Sequence, residues 1–185
     1  PMRSGRLAGT VAAAARGGAD DCGAVSGTGS VGGALGPRFA GLGERIVYGS
    51  RTPEAERIAA LVERTGAGTQ ALAPDAAARA CNTIVLAVPW FAVEATVKSF
   101  GDLAGKLIVD VTNPLSFRDN IVVGAEVPAN SGAEFIQSLA PGARVVKAFN
   151  TIYYTVMAVP ETAGGSVSVL ISGDDAGAKA RVAKL

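Results

Sequence analysis

The sequence predicts an α/β fold, a doubly wound parallel sheet with helices covering both faces. Three observations predict it. From residue 22 onward short β-type runs alternate with helical stretches; several of those runs are apolar without in-and-out alternation; and a glycine-rich turn separates the first run from the first helix. An antiparallel sheet with one wet face would alternate apolar and polar residues instead.

Taken in order, the expected strands are residues 23–26, 45–48, 83–87, 107–111, 144–147 and 167–171. The helix after the glycine turn contains Gly36-Pro37. An interior proline removes a backbone hydrogen bond and costs about 3 kcal/mol, so this helix is expected to be kinked or short. Between the second and third strands, Thr52-Pro53 offers an N-cap followed by proline at the first helical position. Ile58, Leu61 and Val62 make an apolar stripe and Gly66 can end it, which gives a helix over 53–65. A linker over 66–74 leads to a short Ala-rich helix at 75–80, and further helices are expected at 91–100 and 131–139, the latter stopped by Pro141-Gly142.

With 185 residues and 49% hydrophobic content, the chain suits one compact core, expected over 22–185. Residues 1–21 read as a leader, disordered or processed. Met2-Arg3-Ser4-Gly5-Arg6 followed by an apolar stretch has the order of a secretory signal, but Gly9 and Thr10 dilute it. The 17 basic and 16 acidic residues are scattered and leave a net charge of +1, which gives no footprint for nucleic acid and points to small-molecule partners. No apolar run approaches the about 20 residues that cross a bilayer, so no membrane span is expected and the cytoplasm is the expected setting. The absence of histidine removes the usual general base, imidazole-dependent triads and the commonest zinc ligand; no metal site and no catalytic side chain are expected. Cys22 and Cys81, each beside an apolar run, are expected as buried reduced thiols.

The chemistry is therefore that of a bound cofactor. Gly27-Thr28-Gly29-Ser30-Val31-Gly32 fits the G-x-G-x-x-G pattern between a strand and a helix. The first glycine makes the tight turn, the second lets a pyrophosphate approach, and the third lets helix and sheet pack closely. At the end of the second strand, where NAD-binding chains place an acid on the ribose hydroxyls, this chain reads Gly49-Ser50-Arg51-Thr52. Arg51 can pair with a 2′-phosphate and Ser50 or Thr52 can add hydroxyl donors, which favours NADP; the alternative is Arg51 as a solvated charge with Thr52 as a cap. Ala87, Val88 and Pro89 at the end of the third strand and Asn113 at the end of the fourth stand where ribose and nicotinamide would lie. Asp110 and Lys147 divide between structural bonding and a catalytic role, Asn150 is a candidate for the carboxamide or substrate, and Phe149 reads as structural.

Together with Ala87-Val88-Pro89-Trp90, Thr112-Asn113-Pro114-Leu115 and Lys147-Ala148-Phe149-Asn150-Thr151, these motifs resemble the NADP-dependent reductases of the 8-hydroxy-5-deazaflavin coenzyme (coenzyme F-420), over about residues 22–185. The resemblance implies a Rossmann fold, a homodimer and reversible hydride transfer between NADPH and a deazaflavin or flavin-like acceptor, with no side chain acting as acid or base. It also implies pyrophosphate contacts from Thr28, Gly29, Ser30 and Val31, 2′-phosphate contacts from Ser50 and Arg51, and nicotinamide contacts from Val88, Pro89 and Ala148. Ser26, where the family prefers an apolar residue, and Gly36-Pro37 depart from the pattern. The wider family includes similar domains of ferric-reducing membrane proteins, and the alternative function is a non-catalytic NADP-binding module or cofactor sensor.

Overall fold

The computed structural model describes residues 22–66, 68–119 and 121–185, so the leader expected over 1–21 lies outside the described residues. The chain runs β1 (Cys22–Ser26), α1 (Ser30–Gly41), β2 (Arg45–Gly49), α2 (Glu56–Thr65), β3 (Gln70–Leu72), α3 (Pro74–Ala80), β4 (Thr83–Leu86), a 3-10 turn (Trp90–Ala92), α4 (Val93–Ser99), β5 (Leu107–Asp110), β6 (Leu115–Arg118), β7 (Ile121–Gly124), α5 (Gly132–Leu139), β8 (Arg144–Lys147), α6 (Tyr154–Ala158) and α7 (Ala176–Val182). The main sheet has the order β3-β2-β1-β4-β5-β8, every pair parallel. The chain moves outward from β1 to β3 and returns to lay β4 on the other side of β1. The strand order thus reverses at β1 and β4, which is where such sheets bind ligands.

Successive side chains of the central strands go to opposite faces, and both faces are dry. One layer joins Ala24, Val47, Ile84, Leu86 and Ile108 to Ala77 of α3, Val93 and Val97 of α4 and Ile136 of α5. The other joins Val25, Ile46, Tyr48, Val85 and Val109 to Leu35 and Phe39 of α1, Leu61 of α2 and Val182 of α7. Strands covered on both sides have no position that tolerates a polar alternation, hence the continuous apolar runs in the sequence. Among the described residues no helix is long and apolar enough to cross a membrane.

Several expectations are corrected. The sixth strand of the sheet is β3 rather than residues 167–171, which form no strand. Only the next residue, Ser172, bridges antiparallel to Lys147, through Lys147 N–H to Ser172 O at 2.8 Å and Ser172 N–H to Lys147 O at 3.0 Å. The alternation of Val167, Val169 and Ile171 satisfies a strand pattern but has no partner edge, and Leu170 lies 70% exposed. The hairpin β6–β7 was not anticipated, although Arg118 pairs with Ile121 across a two-residue Asp-Asn link with Asp119 at φ 51°, a recognisable turn signal. Helix α2 starts at Glu56, not Pro53. The Ser50 hydroxyl accepts the Thr52 N–H at 3.2 Å and Ala55 N–H bonds Thr52 O at 3.1 Å, so residues 50–55 turn first and Ala55, not Thr52, holds the N-cap position. Cys22 and Cys81 are joined as a disulfide with Cα atoms 5.1 Å apart, rather than lying as reduced thiols. The fold brings the start of β1 beside the segment entering β4, an adjacency that their distance in sequence conceals.

Helix α1 is uninterrupted for 12 residues in spite of Pro37. Proline at 37 cannot donate to the Gly33 carbonyl, and Arg64 of α2 supplies the missing donor, its Nη2 reaching Gly33 O at 3.3 Å. Beside it, Gly36 lets α1 rest on the buried Tyr48 ring; a Cβ there would lie 2.7 Å from Tyr48 Cζ. The Tyr48 hydroxyl donates to Thr65 Oγ1 at 2.8 Å, which itself donates to Leu61 O at 2.7 Å, and burial pushes the phenol above its usual pKa. Gly36→Ala is expected to cost about 2 kcal/mol of stability by overpacking, measured as a lowered urea midpoint. A midpoint within error of the parent would remove the close-approach requirement.

Candidate functional site

The site begins where β1 hands over to α1. Gly27 has φ 109°, and a Cβ on it would sit 2.6 Å from the Ala87 carbonyl carbon and overlap the carbonyl oxygen. A Cβ on Gly32 would overlap the Gly27 carbonyl, so the third glycine is required by helix–turn contact. Gly29 differs. It has an ordinary φ of −82°, and a Cβ there would meet nothing within 4 Å. Among the described residues nothing gives a reason for glycine at 29; the space in front of it is open. Gly29 is also the N-cap of α1, no side chain caps the helix, and its first turn carries no acid, so its leading N–H groups and the positive end of its dipole are presented to that space.

The space is a groove of about 1490 Å³ along the carboxyl ends of β1, β2, β4 and β5. At its β2 end stand Ser50, Arg51, Thr52 and Arg57. Arg51 and Thr52 are exposed, whereas Ser50 is nearly buried and its hydroxyl holds the turn described above. Arg57, on the first turns of α2, donates from Nη1 to Thr28 Oγ1 at 3.3 Å and so spans from the glycine turn to the arginine cluster. Sequence reasoning missed it, because its approach depends on the turn that delays α2. The acid in this wall is Asp75, whose carboxylate pairs with Arg79 at 2.9 Å; that hydrogen bond holds its pKa below the usual value.

Ala87, Val88 and Pro89 line the middle of the groove, and Val111, Thr112 and Asn113 continue it. Its far wall is apolar: Phe91 of the 3-10 turn faces Leu115, Phe117 and Val122 of the hairpin, residues that were also not anticipated. The Trp90 indole N–H donates to Glu126 O at 3.3 Å and its ring packs on Phe135 at 5.8 Å, which anchors the segment after the hairpin.

Of the fifteen residues expected at the cofactor, Gly27, Thr28, Gly29, Ser30, Val31, Ser50, Arg51, Thr52, Ala87, Val88, Pro89 and Asn113 line this groove. Gly32, Ala148 and Asn150 do not. Gly32 is packed beneath the turn, and Ala148 is 0% exposed, its N–H given to Asp110 O at 3.1 Å. Asn150 sits one step back and pairs with Asn113: Asn113 Nδ2 donates to Asn150 O at 2.8 Å, and Asn150 Nδ2 donates to Asn113 Oδ1 at 3.1 Å. Phe149, at φ 63°, makes the left-handed step that aims Asn150 at Asn113 while its ring packs on Phe39 at 5.8 Å.

Asp110 and Lys147 resolve toward structure. Asp110 is fully buried; Oδ1 accepts the Thr112 N–H at 2.9 Å and hydroxyl at 2.7 Å, and Oδ2 accepts Lys147 Nζ at 2.8 Å. Lys147 also donates to Thr112 O at 2.6 Å. This carboxylate is saturated by partners that order the loop carrying Asn113. Among the described residues no cluster of three or more His, Cys, Asp or Glu could hold a metal ion.

Known proteins carry the same architecture. A family model described as NADP oxidoreductase, coenzyme F420-dependent, matches residues 23–114, from β1 to just past β5. The structure of an Arthrobacter sp. FB24 protein, assigned in name to the F420-dependent NADP reductases, superposes with a TM-score of 0.79 at 34% identity, over 87% of this chain and 77% of that one. The chain belongs to the coenzyme F420-dependent NADP oxidoreductase family. The F420-dependent NADP reductase of Methanothermobacter thermautotrophicus is 33% identical over 144 residues, and metalloreductase STEAP3 of Rattus norvegicus is 32% identical over 162. The chain spans 60% of the first and 30% of the second. The Rossmann fold and the family resemblance read from the motifs both hold.

Proposed function

We propose that this family member binds NADP in the groove and passes a hydride between NADPH and a deazaflavin or flavin-like acceptor, with residues 22–185 as the binding unit. One observation carries the reading: a single groove joins the uncapped amino end of α1, fronted by the unopposed Gly29, to Arg51 and Arg57 with no acid from Gly49 to Pro53. The donors suit the cofactor. Backbone N–H groups of the Thr28–Val31 turn would hold the pyrophosphate, and the guanidinium of Arg51, with Arg57 beside it, would hold the 2′-phosphate. Asn113, fixed by Asn150, would orient the nicotinamide side, while Val88, Pro89, Leu115 and Phe117 would shield it from water once the ligands cover them. When bound, NADPH supplies the hydride; the chain supplies position and an apolar wall, and needs no proton-transferring side chain for that step.

Stopped-flow absorbance at the NADPH band tests this, with oxidised deazaflavin in one run and flavin mononucleotide in another. Rapid oxidation with either supports the proposal; tight NADPH binding with no oxidation by either would favour a binding module instead. The assigned phosphate role has its own test. Arg51→Glu is expected to weaken NADPH by about 2 kcal/mol or more while NADH changes little, because a repulsive charge replaces an attractive one at the 2′-phosphate. Equal losses for the two cofactors, read by fluorescence titration, would overturn it.

A further inference from the structure

At the opposite end of the sheet, where β4, β5 and β8 begin, lies a second cavity of about 430 Å³. Three cations from three separate elements line it: Lys106 just before β5, Arg144 at the first residue of β8, and Arg181 in the last turn of α7. No carboxylate lines it among the described residues.

Among the described residues each cation has a bond that holds it in place. Lys106 Nζ donates to Cys81 O at 2.8 Å, Arg144 Nη2 to Gly105 O at 2.7 Å, and Arg181 Nη2 to Glu44 Oε2 at 2.5 Å. Two of these three partners are backbone carbonyls, which fix a side chain without cancelling its charge. Among the described residues Glu44 offsets one cation and the other two have no carboxylate partner. Lysine carries three donors and arginine five, so the bonds to described residues leave donors over at all three. Like charges gathered at a cleft repel one another, and an anion seated among them would remove that repulsion while using the spare N–H groups. The volume holds a compact anion with some of its water, at roughly 30 Å³ per water.

We propose that this cavity is a binding site for a small, multiply charged phosphoryl anion, separate from the cofactor groove. Arginine forks match phosphoryl oxygens two at a time and lysine adds a point charge, so the site selects for charge density rather than for carbon skeleton. The three ligating groups lie at the start of β5 and β8 and on α7, so an occupant ties the sheet base to the last helix.

Calorimetric titration with inorganic pyrophosphate tests the site, with NADP in excess so that the groove is filled. The expected result is one pyrophosphate per chain, weakened about tenfold or more by Arg144→Gln and by Lys106→Met, with NADPH affinity unchanged in both variants and binding that falls with added NaCl. Arg144 is exposed, and its replacement leaves the core intact. No binding at millimolar pyrophosphate, or parent-like binding in both variants, would overturn the site. Citrate binding as tightly as pyrophosphate would overturn the phosphoryl assignment. Joint loss of pyrophosphate and NADPH would assign the anion to the groove and overturn the proposal.

Discussion

Lys147→Met is expected to lower stability by about 3 kcal/mol or more. Asp110 is 0% exposed and its Oδ2 has Lys147 as its charged partner. Methionine keeps the length and apolar stem of lysine but leaves a buried carboxylate uncompensated, and breaking one side of such a pair is far more damaging than removing both. The double variant Asp110→Asn, Lys147→Met should therefore recover at least half of the loss, since no net charge then stays in the core. Urea unfolding of the three variants measures this. A single-variant loss under about 1 kcal/mol would mean that the pair contributes little and that Asp110 is held by its Thr112 bonds alone.

The second large effect separates two glycines of one motif. Gly27→Ala should cost about 3 kcal/mol or more, because Gly27 has φ 109° and a Cβ there overlaps the Ala87 carbonyl, joining backbone strain to a clash that no side-chain rotation relieves. Gly29→Ala should leave stability within about 1 kcal/mol, since its backbone suits alanine and its Cβ meets no protein atom. Its NADPH affinity should nonetheless fall about tenfold or more, because the methyl group enters the space proposed for the pyrophosphate. Thermal unfolding and NADPH titration on both variants give the contrast. A Gly29→Ala protein that binds NADPH like the parent would remove the pyrophosphate from that space.

The sheet was legible because burial on both faces leaves a plain mark, apolar runs with no alternation, and because Gly27, Gly29 and Gly32 stand between the first of those runs and a helix. One helix end was legible from a single residue: Gly66, at φ 114°, follows the last residue of α2. What stayed hidden depends on contacts between segments far apart in the chain. Gln70–Leu72 is too short to show a period and becomes a strand only by pairing with β2. Residues 167–171 show the period and lack the partner. Thr52-Pro53 reads as a helix start, and the Ser50 hydroxyl overrides it by holding the chain in a turn. That same turn brings Arg57 to Thr28, so one misread cap concealed one residue of the groove.

Pro37 and Arg64 illustrate a dependence between positions that no inspection of either helix alone would reveal. The proline of α1 leaves the Gly33 carbonyl without its helical donor, and a guanidinium from α2 takes that duty. The two residues make one hydrogen-bonded unit spread over two helices. A descendant with an ordinary residue at 37 frees position 64 to drift, whereas one that loses the arginine first exposes a broken turn four residues behind the proline. Across relatives the two positions should therefore change together, with proline at 37 found where arginine stands at 64.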